Sequence, residues 1–96
     1  MIVSFGNTLA SDLFDDKNSK ATRMFASDLR RAARRKLLYL HDAAELNDLR
    51  VPPGNRLEKL RGDWQGFHSI RINQKWRLVF RWSSGSASDV QIVDYH

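Results

Sequence analysis

The chain ends on QIVDYH, residues 91–96, a strand-like run whose last two side chains can both move protons. An imidazole titrates at roughly 6.5 and a phenol near about 10. His96 therefore suits acid or base work at neutral pH, whereas Tyr95 needs a nearby cation to ease its ionisation. Two further runs, FHSIRI (67–72) and WRLVFRW (76–82), carry Arg71, Arg77 and Arg81. With NQK as a three-residue loop, Ile72 faces Trp76, Ile70 faces Leu78 and His68 faces Phe80. On the other side Arg71 then faces Arg77, Ser69 faces Val79 and Phe67 faces Arg81. A slip of one residue would mix the two sets, which a half-buried sheet does not tolerate. The same alternation puts Val90 and Ile92 on the apolar face, and Gln91, Val93 and Tyr95 on the face with the arginines. Like charges directly opposite each other destabilise a sheet, so Arg71 and Arg77 in register predict an anion over them. Forked guanidinium groups fit phosphate. The plainer alternative is a frayed terminus and solvated arginines, and Arg81 reads as a rim residue.

The elements that must position these groups follow from periodicity. Residues 1–5 read as a short strand and 7–14 as a short helix with Leu9, Leu13 and Phe14 on one side. DDKNSKATR, 15–23, has no apolar period and reads as a polar loop. Over 21–41, Phe25, Leu29, Ala33, Leu37 and Leu40 make one buried helical stripe. Asp42 and Glu45 have the spacing of a capping box ahead of a short helix over 43–49, which VPPGN stops. A strand near 57–61, a turn at GDWQG, and strands over 67–72, 76–82 and 89–95 complete the chain, with SSGSAS as the last loop. Helices first and an antiparallel meander afterwards predict an α+β fold, an antiparallel-rich β-sheet with the N-terminal helices packed on one face.

Composition narrows the partners. Ninety-six residues form one domain, 1–96, with ten per cent aromatics and no cysteine, which excludes a disulfide framework and a thiolate metal site. Histidines at 41, 68 and 96 show no close ligand spacing, so no metal or other cofactor is expected. The start lacks a signal-peptide pattern and no stretch is long enough to span a bilayer, so a cytoplasmic protein without membrane contact is expected. The formal charge is +5, and residues 1–20 carry three aspartates against two lysines, which leaves +6 on the remainder. A basic domain of this size suits a polyanionic partner.

The order DLR–PPGNRLE–L–G–G–HSIR–N–WR–F–W–VDYH, from about Asp42 to His96, closely resembles the HigB branch of the RelE/ParE toxin superfamily. Residues 1–41 match more loosely. The resemblance implies a RelE-like toxin fold and the toxin of a type II toxin–antitoxin pair. It implies a metal-independent, ribosome-dependent endoribonuclease, an mRNA interferase that inhibits translation. It also implies as partners the ribosome, mRNA and a HigA-type helix-turn-helix antitoxin, with operator DNA met only through that antitoxin. Its active surface falls here on Arg61, Arg77, Asp94, Tyr95 and His96. Some relatives have a histidine three residues before the basic residue, where this chain has Glu58. Cleavage of this kind uses the 2′-OH as nucleophile and needs a base, an acid for the leaving 5′-oxygen, and cations on the phosphate. His96 is the candidate acid, Glu58 or Tyr95 the candidate base, and Arg77 and Arg61 the charge stabilisers. Asp94 reads as structural, and Trp64 as a residue able to touch RNA or protein. RRAARRK, 30–36, reads as a solvated helix face or as a contact from Arg34 and Arg35 to ribosomal-RNA backbone. Two alternatives stand beside this reading. One is a ParE-like toxin that blocks DNA gyrase without chemistry, and the other is a non-catalytic RNA-binding module.

Overall fold

A computed structural model describes residues 1–94. The candidate residues Tyr95 and His96 lie outside the described residues. Helix α1 (Thr8–Phe14) starts on Asn7, whose side-chain oxygen accepts from the Ala10 N–H at 3.1 Å. The Asn7 amide donates in turn to the Ile92 carbonyl at 2.9 Å, so one side chain both caps α1 and ties it to the last strand. The stretch expected to be a polar loop contains a short helix, α2 (Lys20–Arg23), because Ser19 and Thr22 cap each other reciprocally. Helix α3 (Ser27–Asp42) begins six residues later than the periodicity predicts. Asp42 is its last residue rather than the cap of the next element. The following turn, Leu46–Arg50, is a 3-10 helix, and Asp48 accepts from the Ala44 and Glu45 N–H groups at 3.0 Å each.

Strands β1 (Glu58–Lys59), β2 (His68–Arg71), β3 (Trp76–Ser83) and β4 (Ser86–Asp94) form one antiparallel sheet in that order. The β2–β3 register is the expected one: His68 pairs with Phe80, Ser69 with Val79, Ile70 with Leu78, and Arg71 with Arg77. Asn73 closes the loop by accepting from the Lys75 and Trp76 N–H groups. SSGSAS is not a loop. Ser84 and Gly85, at φ +49° and +80°, make a two-residue turn of the kind that matches strand twist, and β4 starts at once on Ser86. A bulge near Asp89, whose φ is +50°, shifts the β3–β4 pairing between Val79 and Arg81. The N-terminal segment is less than a full strand. Ile2 and Phe5 make isolated parallel bridges to Ala87 and Val90 on the outer side of β4.

The helices cover one face of the sheet. Ala33, Leu37 and Leu40 of α3 pack with Ile70, Leu78, Phe80, Val90 and Ile92, and Trp76 and Trp82 close the margin. This burial is the main source of stability for a sheet hydrophobic on one side. The opposite face is not uniformly basic. Leu60, Phe67 and Val79 form a second small apolar cluster there, flanked by Trp64 and Val93. Trp64 packs edge-on against Phe67, with ring centroids 5.1 Å apart.

Candidate active site

The open face is built in rows set by register. Glu58, Ser69, Val79 and Gln91 lie in line across the four strands. The next row holds Arg71, Arg77 and Val93. Glu58 and Arg77 are therefore two strands apart, roughly 9–10 Å at the usual strand spacing. Yet Arg77 Nη1 lies 3.7 Å from Glu58 Oε1. The two side chains therefore meet across β2, the strand between them, which carries Ser69 and Arg71. Its side chain is 19% exposed against 53% for Glu58. At 3.7 Å the contact is an ion pair but not a hydrogen bond. Nη1 is buried without any hydrogen-bond partner among the described residues, and so is the Ser69 hydroxyl.

The facing arginines avoid each other by leaning apart. Arg71 Nε donates to the Asn73 carbonyl at 3.1 Å, at the hairpin end, while Arg77 turns towards β1. Arg81 is held by the fold. Its guanidinium lies 4.3 Å from the centre of the Phe67 ring, and its Nε is 3.3 Å from Asp89 Oδ2. Gly66, at φ +91°, makes room for it, since a Cβ there would come within 2.8 Å of Arg81 Nη1. Arg61 is exposed at the start of the 3-10 turn Gly62–Trp64; its carbonyl accepts from the Trp64 N–H at 3.3 Å, and its guanidinium makes no hydrogen bond or ion pair among the described residues. Asp94 pairs with Trp76 at the end of β4, and its carboxylate is 3.8 Å from Lys75 Nζ.

Arg34 and Arg35 do not join this surface. They lie on α3, across the sheet from Arg77. Arg34 lines a cleft of about 510 Å³ with Asp12, Asp16, Arg23, Arg30 and Arg31, and Arg35 is exposed. Among the described residues no group of three or more His, Cys, Asp or Glu side chains could hold a metal ion, and no helix is long and apolar enough to cross a membrane. His68, on the covered side, stacks against Phe80 at 5.9 Å. Burial pushes its pKa below the usual histidine value, and Lys59, its cross-strand neighbour, pushes the same way.

Two residues that no sequence pattern singles out stand in this region. One is Ser69, on the arginine face by its register position. It places a small hydroxyl between Glu58 and Val79. The other is Asn55, fully buried, whose amide donates to the Leu49 and Val51 carbonyls at 3.2 and 3.4 Å and whose oxygen accepts from Lys36. This single residue pins the loop that leads into β1, and thereby Glu58, to α3.

Comparison with known proteins agrees with this architecture. The family of RelE-like toxins of the type II toxin–antitoxin system HigB matches residues 3–96. The chain is 39% identical over 87 residues to Toxin HigB-1 of Vibrio cholerae serotype O1, covering 91% of this chain and 90% of that protein. It is 37% identical over 41 residues to Endoribonuclease HigB of Proteus vulgaris, 43% of this chain and 45% of that one. The fold is similar to a chain of the YoeB–YefM complex from Staphylococcus aureus, with a TM-score of 0.62 at 17% identity, covering 100% of this chain and 98% of that chain. The meander with helices on one face and the match across nearly the whole length lead to one assignment: the chain belongs to the HigB-like family of RelE-like toxins of type II toxin–antitoxin systems.

Proposed function

We propose that this toxin is a ribosome-dependent endoribonuclease that cuts mRNA by attack of a 2′-OH on the adjacent phosphodiester. The observation that carries the reading is Arg77: a mostly buried guanidinium on the uncovered sheet face, with one donor unmatched and a carboxylate beside it. In the step, a base takes the 2′-OH proton and the oxygen attacks phosphorus. The P–O5′ bond breaks, and an acid protonates the departing 5′-oxygen. The products are a 2′,3′-cyclic phosphate and a 5′-hydroxyl. Arg77 and Arg61 stabilise the negative charge that grows on the phosphate, the role in which fixed donors contribute most to rate. Glu58 or Tyr95 is the base and His96 the acid. Arg71 contacts the RNA backbone nearby, with Arg81 at the rim. The reaction uses no metal, because the proton transfers and the phosphate charge are handled by these side chains.

The toxin works in the cytoplasm and is neutralised by a HigA-type helix-turn-helix antitoxin, through which alone it meets operator DNA. A YoeB–YefM toxin–antitoxin complex from Staphylococcus aureus contains a chain of similar fold. The test is cleavage of a reporter mRNA in a translating extract. Wild type cuts the message, and Arg77→Gln lowers the rate by about 10²–10³-fold while remaining folded. Absence of cutting by wild type, with inhibition of gyrase supercoiling instead, would replace this reading by the ParE-like one.

A further inference from the structure

We infer that Ser69 is a substrate-contacting residue, which with Arg77 forms a two-donor seat for a non-bridging oxygen of the scissile phosphodiester. The inference rests on the cleavage reading above. Ser69 is 1% exposed, and its hydroxyl has no hydrogen-bond partner among the described residues. A hydroxyl buried without a partner is unfavourable. Next to Val79, in a small apolar cluster, a valine would suit the strand better for stability alone. The hydroxyl therefore needs a role that the resting fold does not show.

Register supplies that role. Ser69 lies directly between Glu58 on β1 and Val79 on β3. Arg77 and Glu58 are rooted on the strands either side of β2, and their charged ends approach to 3.7 Å across the strand that carries Ser69. Two donors on neighbouring positions, the Ser69 hydroxyl and Arg77 Nη1, thus lack an acceptor on the same small area. Glu58 satisfies neither: its carboxylate stands 3.7 Å from Nη1, attracted but not hydrogen-bonded. A phosphodiester brings two non-bridging oxygens that share one negative charge, and it competes with Glu58 for the guanidinium. Arg77 then swings onto the phosphate, uncovers Ser69, and both donors meet one oxygen. Glu58, released from its cation, is left beside the phosphate and available to accept a proton. The Glu58–Arg77 pair acts as a cover over the seat in the absence of RNA.

The test compares Ser69→Ala and Ser69→Thr with wild type in the reporter-cleavage assay, with kcat and KM separated. Urea unfolding is measured alongside, as is affinity for a short RNA blocked by 2′-O-methylation. Ser69→Ala is expected to lose about ten- to hundredfold in kcat/KM with an unchanged or raised unfolding midpoint, to bind the blocked RNA more weakly, and to be largely rescued by Ser69→Thr. Wild-type cleavage and RNA affinity in Ser69→Ala would overturn the inference. So would a loss of activity that follows a fallen unfolding midpoint and is not rescued by threonine. If wild type binds the blocked RNA but never cuts, the cleavage reading fails, and weaker binding by Ser69→Ala supports only a seat for an uncut RNA phosphate and overturns its catalytic role. If wild type neither binds nor cuts, both fall.

Discussion

His68 and Ser69 are chain neighbours that face opposite environments, and each carries a chemical consequence of its side of the sheet. His68 turns to the helices and stacks on Phe80. Burial first, and Lys59 second, lower its pKa from 6.5. The unfolded chain therefore binds more protons than the folded one between the lowered value and 6.5, and stability rises with pH across that window. The contribution is fully present above 6.5 and is lost as pH falls through the folded value. Urea midpoints measured between pH 7.5 and 4.5 should fall below about 6.5 in wild type and fall less in His68→Gln. Identical pH profiles for the two proteins would remove His68 as the cause.

Among the elements, the segment from Leu46 to β1 has the least regular structure and the most dependence on one side chain. Its backbone runs through a 3-10 turn, two prolines and Arg56 at φ +47°. Such a path cannot satisfy its own carbonyls, and Asn55 does this for Leu49 and Val51 while receiving Lys36 from α3. Lys36 has its pKa lowered by burial and, secondarily, by Arg35, as expected of an ammonium group drawn towards the interior. Asn55→Ala leaves two carbonyls and an ammonium group short of partners, and should cost about 2 kcal/mol in chemical denaturation. Cleavage should weaken too, because Glu58 follows three residues later. A denaturation midpoint equal to that of wild type would show that the loop holds itself.

For the whole molecule, two basic surfaces lie on opposite sides of one sheet: Arg71, Arg77 and Arg81 on the open face, and the α3 arginines beyond the core. A phosphate contact shows as a salt slope, with log K falling by roughly 0.7 per neutralised phosphate on a single strand. Arg71→Gln should reduce that slope for RNA by about this amount. Arg81→Gln should leave the slope unchanged and lower the unfolding midpoint, since Arg81 is tied to Asp89 and Phe67. The reverse pattern, a slope change from Arg81 and none from Arg71, would relocate the RNA path to the rim near Gly66.

Local periodicity carried most of the architecture into the linear chain. A period of two with one buried face allows a single register, so the facing of Arg71 with Arg77, and the separation of Val90 and Ile92 from Gln91 and Val93, are legible in the sequence itself. So was the stripe of Ala33, Leu37 and Leu40. What tertiary structure decided has no short-range signal. The serines around Gly85 carry no hydrophobic pattern, so a tight turn at positive φ looked like a loop. The helix at 20–23 depends on a reciprocal hydroxyl cap rather than on an apolar face. Arg34 and Arg35 read from the sequence as part of a basic helix face, and packing shows what that face borders: the core on one side and, for Arg34, a cleft lined by Asp12 and Asp16. The approach of Arg77 and Glu58 across β2, and the unmatched hydroxyl of Ser69, arise where three strands meet. Side chains far apart in sequence become neighbours there, and no period in the chain encodes that meeting.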